Sequence, residues 1–320
     1  MPFSWKLKSV APHDFFISLD IDAYFDHEHE PAEIPEKGML RPLSLTHTDA
    51  LVRIYFNGDP ENPSFQIECE EHLSEDEVAE ANRQLARILG TDIDLNPLYE
   101  KAWDDPILGP LFKESYGFKR MSRASFFEDA LNRIIIAQIS HKPTARRMVY
   151  GVREQYGTRL ESKFGRLSAW PRPYQLVGAE PASLKKHGLS LRKGEYVTGL
   201  AHLLVSGEIP SQYEIENLLP AAFYELMLGI RGIGPTTAQD LMMFRNRTDA
   251  VFPSHVQKGE EKGLRRWISL SYGCDPDNTD ESQFQELIRS WQGYESVALE
   301  YLHLNYVLGE KARRMKKQSV

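Results

Sequence analysis

The feature that most constrains this chain is a glycine-rich stretch, LMLGIRGIGPTTAQDLMMF, at residues 226–244. Pro220 begins a helical segment before it, and Pro235 suits the first turn of a second helix. The stretch therefore predicts a helix, a tight turn and a second helix. Gly232 and Gly234 are expected to adopt positive φ and to leave the backbone open to a ligand.

The start of the second predicted helix favours an anion site. The amides near Thr236 and Thr237 have no partners within their own helix, so they can bind a phosphate without any basic side chain. Two other interpretations stay open. GIRGIG resembles a dinucleotide fingerprint, but that motif follows a strand, and here a helix precedes it. The stretch is also compatible with a plain helix–helix turn.

Charge is unevenly distributed along the 320 residues, whose net charge is −8. Residues 1–110 contain 8 Lys and Arg against 23 Asp and Glu, whereas the remaining residues contain 30 against 23. Residues 141–195 alone contain 12 basic and 4 acidic side chains. This pattern is compatible with two differently solvated surfaces, or with a basic face for nucleic acid beside an acidic domain that avoids it.

The remaining composition indicates a soluble intracellular protein. No apolar run approaches the roughly 18 residues of a membrane span, and the N-terminus lacks the apolar segment of a signal peptide. Cys69 and Cys274 have no metal-binding spacing, so they are expected to be ordinary thiols in a reducing compartment. We expect a cytoplasmic protein.

The first 90 residues predict a small α+β domain. FFISLDIDAYF at 15–25 alternates as a strand does, and residues 49–70 predict a strand hairpin around NGDPENP. Residues 73–90 predict a helix, because Ser74 and Glu77 form a capping box and Gly90 ends it.

From about residue 95 the strand pattern largely disappears. Ser125 and Glu128 form a capping box for a helix that must end near Gln138, because Pro143 belongs in the first turn of the next helix. Further helices are predicted at 182–205, 220–228, 235–246, 281–292 and 294–308. The fold class is therefore multi-domain α+β, with an acidic sheet-plus-helix domain at 1–92 and an all-helical, two-lobed domain at 93–320 that contains the helix-hairpin-helix at 220–246.

The hairpin, followed by DAVFP, resembles the helix-hairpin-helix (HhH-GPD) DNA glycosylase superfamily, and the 3-methyladenine DNA glycosylase II group in particular. The order of several blocks supports the resemblance, which covers about residues 90–310. The acidic N-terminal part is similar to the TBP-like domain of that family. The blocks are DLNPLYEKAWDDPILGPLFKESYGFKRM (95–121), SFFEDALNRIIIAQIS (125–140), GLSLRKGEYVTGLA (188–201) and WQGYESVALEYL (291–302).

The resemblance implies roles for individual residues. Ile139, next to Gln138, matches the apolar wedge that fills the gap left by a flipped nucleotide, although a core residue at a helix end would fit the same pattern. Lys142, Arg146 and Arg147 are placed to contact the DNA backbone. Gly232, Gly234, Thr236 and Thr237 would hold a DNA phosphate through their amides, and the carbonyls of Leu228, Ile230 and Gly232 would hold a monovalent cation, Na⁺ or K⁺.

The sequence departs from the family at the catalytic position. The family aspartate lies six residues beyond the Asp of DAVFP, and here that position is His255. A carboxylate stabilises the positive charge that develops on the sugar, which an imidazole cannot do. Asp240 lies one turn after Thr236 on the same helix face, so we predict that it supplies the carboxylate. The alternatives are that Asp240 is a solvated helix residue and His255 a structural histidine.

The predicted base pocket also differs from the family pattern. Lyase-competent relatives have lysine where this chain has Thr236, so no Schiff base is expected there. The pocket positions that are aromatic in the alkyladenine enzymes correspond to Thr236, Asp240 and His303, and Gln138 is expected to border the same pocket.

These observations predict a monofunctional DNA N-glycosylase of base-excision repair. It would flip out and remove a damaged, alkylated purine from double-stranded DNA. It would act as a monomer associated with the nucleoid, with no membrane contact and no cofactor beyond the cation. The alternative is a catalytically silent DNA-binding protein that keeps the fold but has lost the chemistry.

Overall fold

The N-terminal part of the chain is built on a four-stranded antiparallel sheet. In the computed structural model, which describes residues 2–25 and 38–318, the strands run in the order β1-β4-β3-β2. The hairpin predicted around NGDPENP is confirmed, since β3 and β4 pair on either side of it. The strands are β1 (Phe3–Lys8), β2 (Met39–Ser44), β3 (Asp49–Asn57) and β4 (Ser64–Cys69).

Residues 15–25 form a helix, α1 (Phe15–Phe25), and the strand prediction for this segment was wrong. The Asp14 carboxylate accepts a hydrogen bond from the Ile17 amide at 3.0 Å, which stabilises the start of the helix. Phe15 and Leu19, four residues apart, are both buried against the sheet. The four-residue spacing of buried side chains therefore determines the secondary structure of this segment, and the two-residue alternation in its sequence does not.

Helix α2 (Glu75–Leu89) covers the sheet, as the sequence predicts. Ser74 and Glu77 form the complete capping box, and Gly90 ends the helix in the left-handed conformation with φ of 68°. The side chains of α1, α2 and the sheet form one hydrophobic core, which also takes in Met121 from further along the chain. The domain boundary at residue 92 stays a prediction.

The rest of the chain is mainly helical and surrounds a second, larger hydrophobic core. Its helices are α3 (Asn96–Ala102), α4 (Leu108–Glu114), α5 (Phe126–Ile136), α6 (Lys142–Tyr156), α7 (Pro173–Val177), α8 (Leu191–Ser206), α9 (Gln212–Asn217), α10 (Pro220–Gly229), α11 (Pro235–Met242), α12 (Gly263–Ser271), α13 (Glu281–Leu287) and α14 (Glu295–Gln318), with 3₁₀ turns at Pro181–His187 and Arg289–Trp291.

This part is not all-helical, so that expectation needs correction. Two short antiparallel hairpins interrupt the helices: β5 (Arg159–Ser162) with β6 (Gly165–Ser168), and β7 (Val256–Gln257) with β8 (Glu260–Glu261). The helix predicted at 182–205 is also divided, because Gly188 has φ of 88° and Ser190 caps a new helix. The mixed α/β architecture nevertheless agrees with the predicted class.

The local signals around residue 125–143 place α5 and α6 as predicted. Ser125 Oγ accepts the Glu128 amide, although the Glu128 carboxylate accepts the amide of Ala124 and does not close the box. Helix α5 ends at Ile136, and Pro143 lies in the first turn of α6. The five residues between these helices lead into the site described next. No helix in the described ranges is long and apolar enough to cross a membrane.

Candidate functional site

The predicted helix-hairpin-helix consists of α10, a turn at residues 230–234, and α11. Gly232 has φ of 98°, a conformation that favours glycine, and a Cβ there would overlap the ring of Tyr196 on α8. Gly234 has φ of −98°, so the prediction of positive φ at that residue was wrong. Its lack of a side chain leaves open space instead, since no atom lies within 4 Å of the Cβ position.

The amides at the start of α11 are free to bind a ligand. Within the described part of the chain, the N–H groups of Gly232, Gly234, Thr236 and Thr237 have no hydrogen-bond acceptor. They lie at the positive end of a helix dipole, where an anion is stabilised. The geometry is therefore suited to the phosphate predicted for this turn.

A cleft of about 1180 Å³ lies between the hairpin, the end of α5 and the start of α8. It brings together seven of the residues that the sequence selects for function. These are Gln138, Ile139, Gly232, Gly234, Thr236, Thr237 and Asp240.

The loop after α5, which lines this cleft, is held in a specific conformation. Gln138 has φ of 63°, which is uncommon for a residue other than glycine and is often found at functional sites. Ile139 is half-buried and packs on the larger core. It thus lines the cleft and contacts the core at the same time, so both interpretations of this residue remain compatible with its position.

Lys193 on α8, which the sequence analysis did not select, fastens this loop. Its Nζ donates to the carbonyl oxygens of Ile135 and Ala137, at 2.7 Å each, and so satisfies the open end of α5. Burial lowers the pKa of Lys193 below its ordinary value. Only the three-dimensional structure reveals this contact, because the partners are 56 and 58 residues away.

Helix α8 also contacts the hairpin. Tyr196 packs against Gly232, and Glu195 forms an ion pair with Arg231 at 2.9 Å. One turn of α8 therefore connects the loop that carries Ile139 with the turn that carries the free amides.

Asp240 is the one acidic side chain among the described residues that line the cleft. It is partly exposed, and its Oδ2 lies 3.9 Å from Nη1 of Arg133 on α5. That distance is an ion pair without a hydrogen bond. The structure thus places the predicted carboxylate in the cleft and adds a guanidinium beside it that the sequence analysis missed.

His255 does not line the cleft. It lies before the β7–β8 hairpin, where its amide donates to Oε1 of Glu261 at 2.8 Å and its carbonyl accepts the amide of Lys262. Glu261 is buried, and it also accepts a hydrogen bond from Ser254 Oγ. The backbone of His255 therefore has a structural role, and the carboxylate closest to it is already occupied by the loop.

His303, predicted for the base pocket, also lies outside the lining of the cleft. Its ring stacks on Trp267 with centroids 4.6 Å apart, and its Nδ1 lies 3.4 Å from Oε1 of Glu300. Lys142 and Arg146 lie in the first turns of α6, directly after the loop that carries Ile139, and they too do not line the cleft.

The carbonyls predicted to hold a cation are all in or near the turn. Ile230 O accepts the amide of Ile233 at 3.0 Å, which leaves it a second lone pair for a ligand. Across the described residues there is no cluster of His, Cys, Asp and Glu of the kind that binds metals through side chains. A cation here would depend on backbone oxygens.

Comparisons with known proteins agree with this geometry, although no protein-family model matches the chain. Over 215 residues the chain is 28% identical to a DNA-3-methyladenine glycosylase of Bacillus subtilis, a match that covers 66% of this chain and 67% of the relative.

Two solved structures share the fold. One is 3-methyladenine DNA glycosylase from Archaeoglobus fulgidus, with a TM-score of 0.73 at 20% identity over 95% of this chain and 99% of that one. The other is an 8-oxoguanine glycosylase/lyase from Clostridium acetobutylicum in complex with double-stranded DNA, with a TM-score of 0.67 at 16% identity over 97% and 98%. In its hairpin, its fold and its similarity to the Bacillus relative, the chain is similar to the helix-hairpin-helix DNA glycosylase superfamily.

Proposed function

We propose that this protein is a DNA N-glycosylase of base-excision repair that removes a damaged, alkylated purine from double-stranded DNA. The observation that carries the proposal is the composition of one cleft. It combines free amides for a phosphate, an apolar residue at its mouth and a carboxylate, Asp240. Relatives named DNA-3-methyladenine glycosylase support alkylated purines as the substrate class.

DNA handling is assigned to the two elements at the ends of the cleft. The amides of Gly232, Gly234, Thr236 and Thr237 bind one phosphate. Ile139 enters the space that the extruded nucleotide leaves, and Gln138 and Thr236 border the base. Lys142 and Arg146 neutralise neighbouring phosphates, so binding weakens as salt concentration rises.

Asp240 is assigned the catalytic carboxylate. As the bond between base and sugar lengthens, positive charge develops on the sugar, and a carboxylate in the cleft stabilises it. Water then adds to C1′ of the sugar. Because Asp240 lines the cleft, the silent DNA-binding alternative is not favoured, even though His255 stands at the family's catalytic position.

The reaction is proposed to be monofunctional. Thr236 offers a hydroxyl where a lyase needs an amine. Among the described residues that line the cleft, Lys193 is the lysine. Its Nζ donates hydrogen bonds to two carbonyl oxygens at the end of α5, so it is not free to act as a nucleophile. Hydrolysis without a covalent intermediate therefore fits the residues present.

Several finer features belong to the same proposal. The carbonyls of Leu228, Ile230 and Gly232 would hold a monovalent cation, whose positive charge would help to bind the phosphate. The N-terminal sheet and helices form a TBP-like domain, and the helical part forms two lobes. The protein acts as a monomer on DNA of the nucleoid.

Asp240→Asn tests the catalytic assignment. It should raise the barrier to excision by roughly 2–4 kcal/mol, the scale of one preorganised electrostatic group, and should leave DNA affinity nearly unchanged. The measurement is single-turnover excision from duplexes that contain 7-methylguanine. Asp104→Asn, at an exposed aspartate between α3 and α4, is the matched control.

His255→Asp completes the test because it restores the carboxylate of the family position. The His255→Asp protein should excise the lesion faster than the wild type. Added to Asp240→Asn, the same substitution should partly restore excision. If Asp240→Asn excises at the wild-type rate, the chemistry lies elsewhere. If the wild type excises no lesion while His255→Asp does, the natural protein is a silent DNA-binding relative.

A further inference from the structure

Arg133 contributes hydrogen-bond donors to the cleft that the protein itself does not use. The residue lies near the C-terminal end of α5 and lines the cleft beside Asp240. Its Nε is buried without a partner, and in the part of the chain that the structure describes its guanidinium has no hydrogen-bond acceptor. The nearest carboxylate oxygen, on Asp240, is 3.9 Å away. The Arg133 side chain is 27% exposed, so the donors that a bound base can reach are those of its Nη groups.

An aromatic ring and a second carboxylate also act on the charge of Arg133. The guanidinium carbon of Arg133 lies 4.6 Å from the centroid of the Phe244 ring. The guanidinium carbon of Arg120 lies 3.6 Å from the same centroid. Arg120 is already paired with the buried carboxylate of Glu300. Phe244 therefore holds the guanidinium of Arg133, whose charge also helps to lower the pKa of Glu300. Asp240 is the carboxylate beside Arg133 that lines the cleft.

A separated pair of opposite charges matches the chemistry of base release. As the glycosidic bond breaks, C1′ of the sugar becomes positive. When the base is a neutral purine, N9 and the ring attached to it become negative. Groups of opposite sign that already face these two ends stabilise the transition state more than the ground state. Asp240 and Arg133 supply one group of each sign.

We propose that Arg133 stabilises the departing base by hydrogen bonding, and that it extends the reaction to neutral purine lesions. This inference rests on the proposed glycosylase function and names the part of its substrate range that Arg133 controls. A cationic base, such as 7-methylguanine, departs uncharged and gains little from a guanidinium. A neutral base, such as hypoxanthine, departs as an anion and gains much.

The step is balanced without any further reactant than water. The C1′–N9 bond breaks, and both of its electrons go to N9. The oxygen of a water molecule adds to C1′, and the proton that this oxygen loses passes through solvent to the departing base. Arg133 remains protonated throughout, because a guanidinium does not lose its proton in proteins. It acts as a donor and not as an acid.

The experiment compares two lesions in one protein. Single-turnover excision is measured on otherwise identical duplexes that contain hypoxanthine or 7-methylguanine, with the wild type, Arg133→Met and Arg133→Lys. Arg289→Met, at an exposed arginine that is paired with Glu286 and does not line the cleft, is the control. Excision of 7-methylguanine by Arg133→Met also shows that this variant is folded and binds DNA.

Arg133→Met should slow hypoxanthine excision by about 100-fold or more, the effect of removing one preorganised donor, and 7-methylguanine excision by less than about threefold. Arg133→Lys should retain part of the hypoxanthine activity, since it keeps the positive charge but loses the planar arrangement of hydrogen-bond donors in the guanidinium. Equal losses on both lesions, an unchanged hypoxanthine rate, or a wild type that excises 7-methylguanine alone would each overturn the inference. A wild type that binds both duplexes and excises neither would instead refute the proposed function.

Discussion

Replacing Gly232 with alanine tests whether the hairpin turn requires glycine at that one position. The residue has φ of 98°, and the added Cβ would overlap Cγ, Cδ2 and Cβ of Tyr196. A non-glycine residue in such a conformation costs about 1–2 kcal/mol. Overpacking against a fixed ring costs about 1–3 kcal/mol more. We therefore expect the free energy of unfolding to fall by about 3 kcal/mol and Tm to fall by about 5 °C.

The assay is urea denaturation followed by circular dichroism, with Gly234→Ala as the matched control two residues away. Gly234 has φ of −98° and open space at its Cβ position, so this variant should lose less than about 1 kcal/mol. Adding Tyr196→Ala to Gly232→Ala should remove the overlap and leave the backbone strain. A Gly232→Ala protein as stable as Gly234→Ala would refute the reasoning.

Two further predictions concern the proposed DNA contact and Lys119, which is buried and donates to the carbonyl oxygen of Val10. Gly234→Asp should leave the free energy of unfolding unchanged, because aspartate is favoured at the position before a helix. It should weaken duplex binding and make the salt dependence of binding shallower by about one phosphate contact. An unchanged affinity in anisotropy titrations would show that the hairpin does not contact DNA. Burial lowers the pKa of Lys119 to about 7. The unfolded chain therefore binds an extra proton above pH 7, so the free energy of unfolding should rise from pH 7 to 9 by at most about 1.4 kcal/mol per pH unit. Lys119→Met should abolish that slope in urea titrations, and an equal slope in both proteins would contradict the assignment.

Short-range signals in the sequence predicted the helices around the site well. Ser74, Ser125, Pro143 and Pro235 each act within one helical turn of their own position, so their effect depends little on the rest of the chain. The segment at 15–25 failed because its alternation of apolar residues competed with a helical period, and its cap, Asp14, went unrecognised.

The chemistry of the cleft depends on contacts that no local pattern contains. Arg133 and Asp240 are far apart in sequence and meet because α5 packs beside α11. Lys193 likewise reaches the end of α5 from another helix. The sequence did select Asp240, since its spacing from Thr236 places both on one helix face. It could not show that His255 lies outside the cleft lining, because that depends on the loop around Glu261.

The single turn of α8 that touches both proposed DNA-binding elements has a mechanical consequence. Lys193 fixes the Ile139 loop, while Glu195 and Tyr196 fix the hairpin, so the distance between them is set before DNA arrives. If the proposed contacts hold a duplex at both points, the duplex itself must bend, and the elastic cost depends on the local stiffness of its base stack. A lesion that weakens stacking lowers that cost. A protein with this fixed spacing would thus bind most readily where the duplex bends easily. It would select weakly stacked bases by their mechanical properties before it contacts any chemical group of the base.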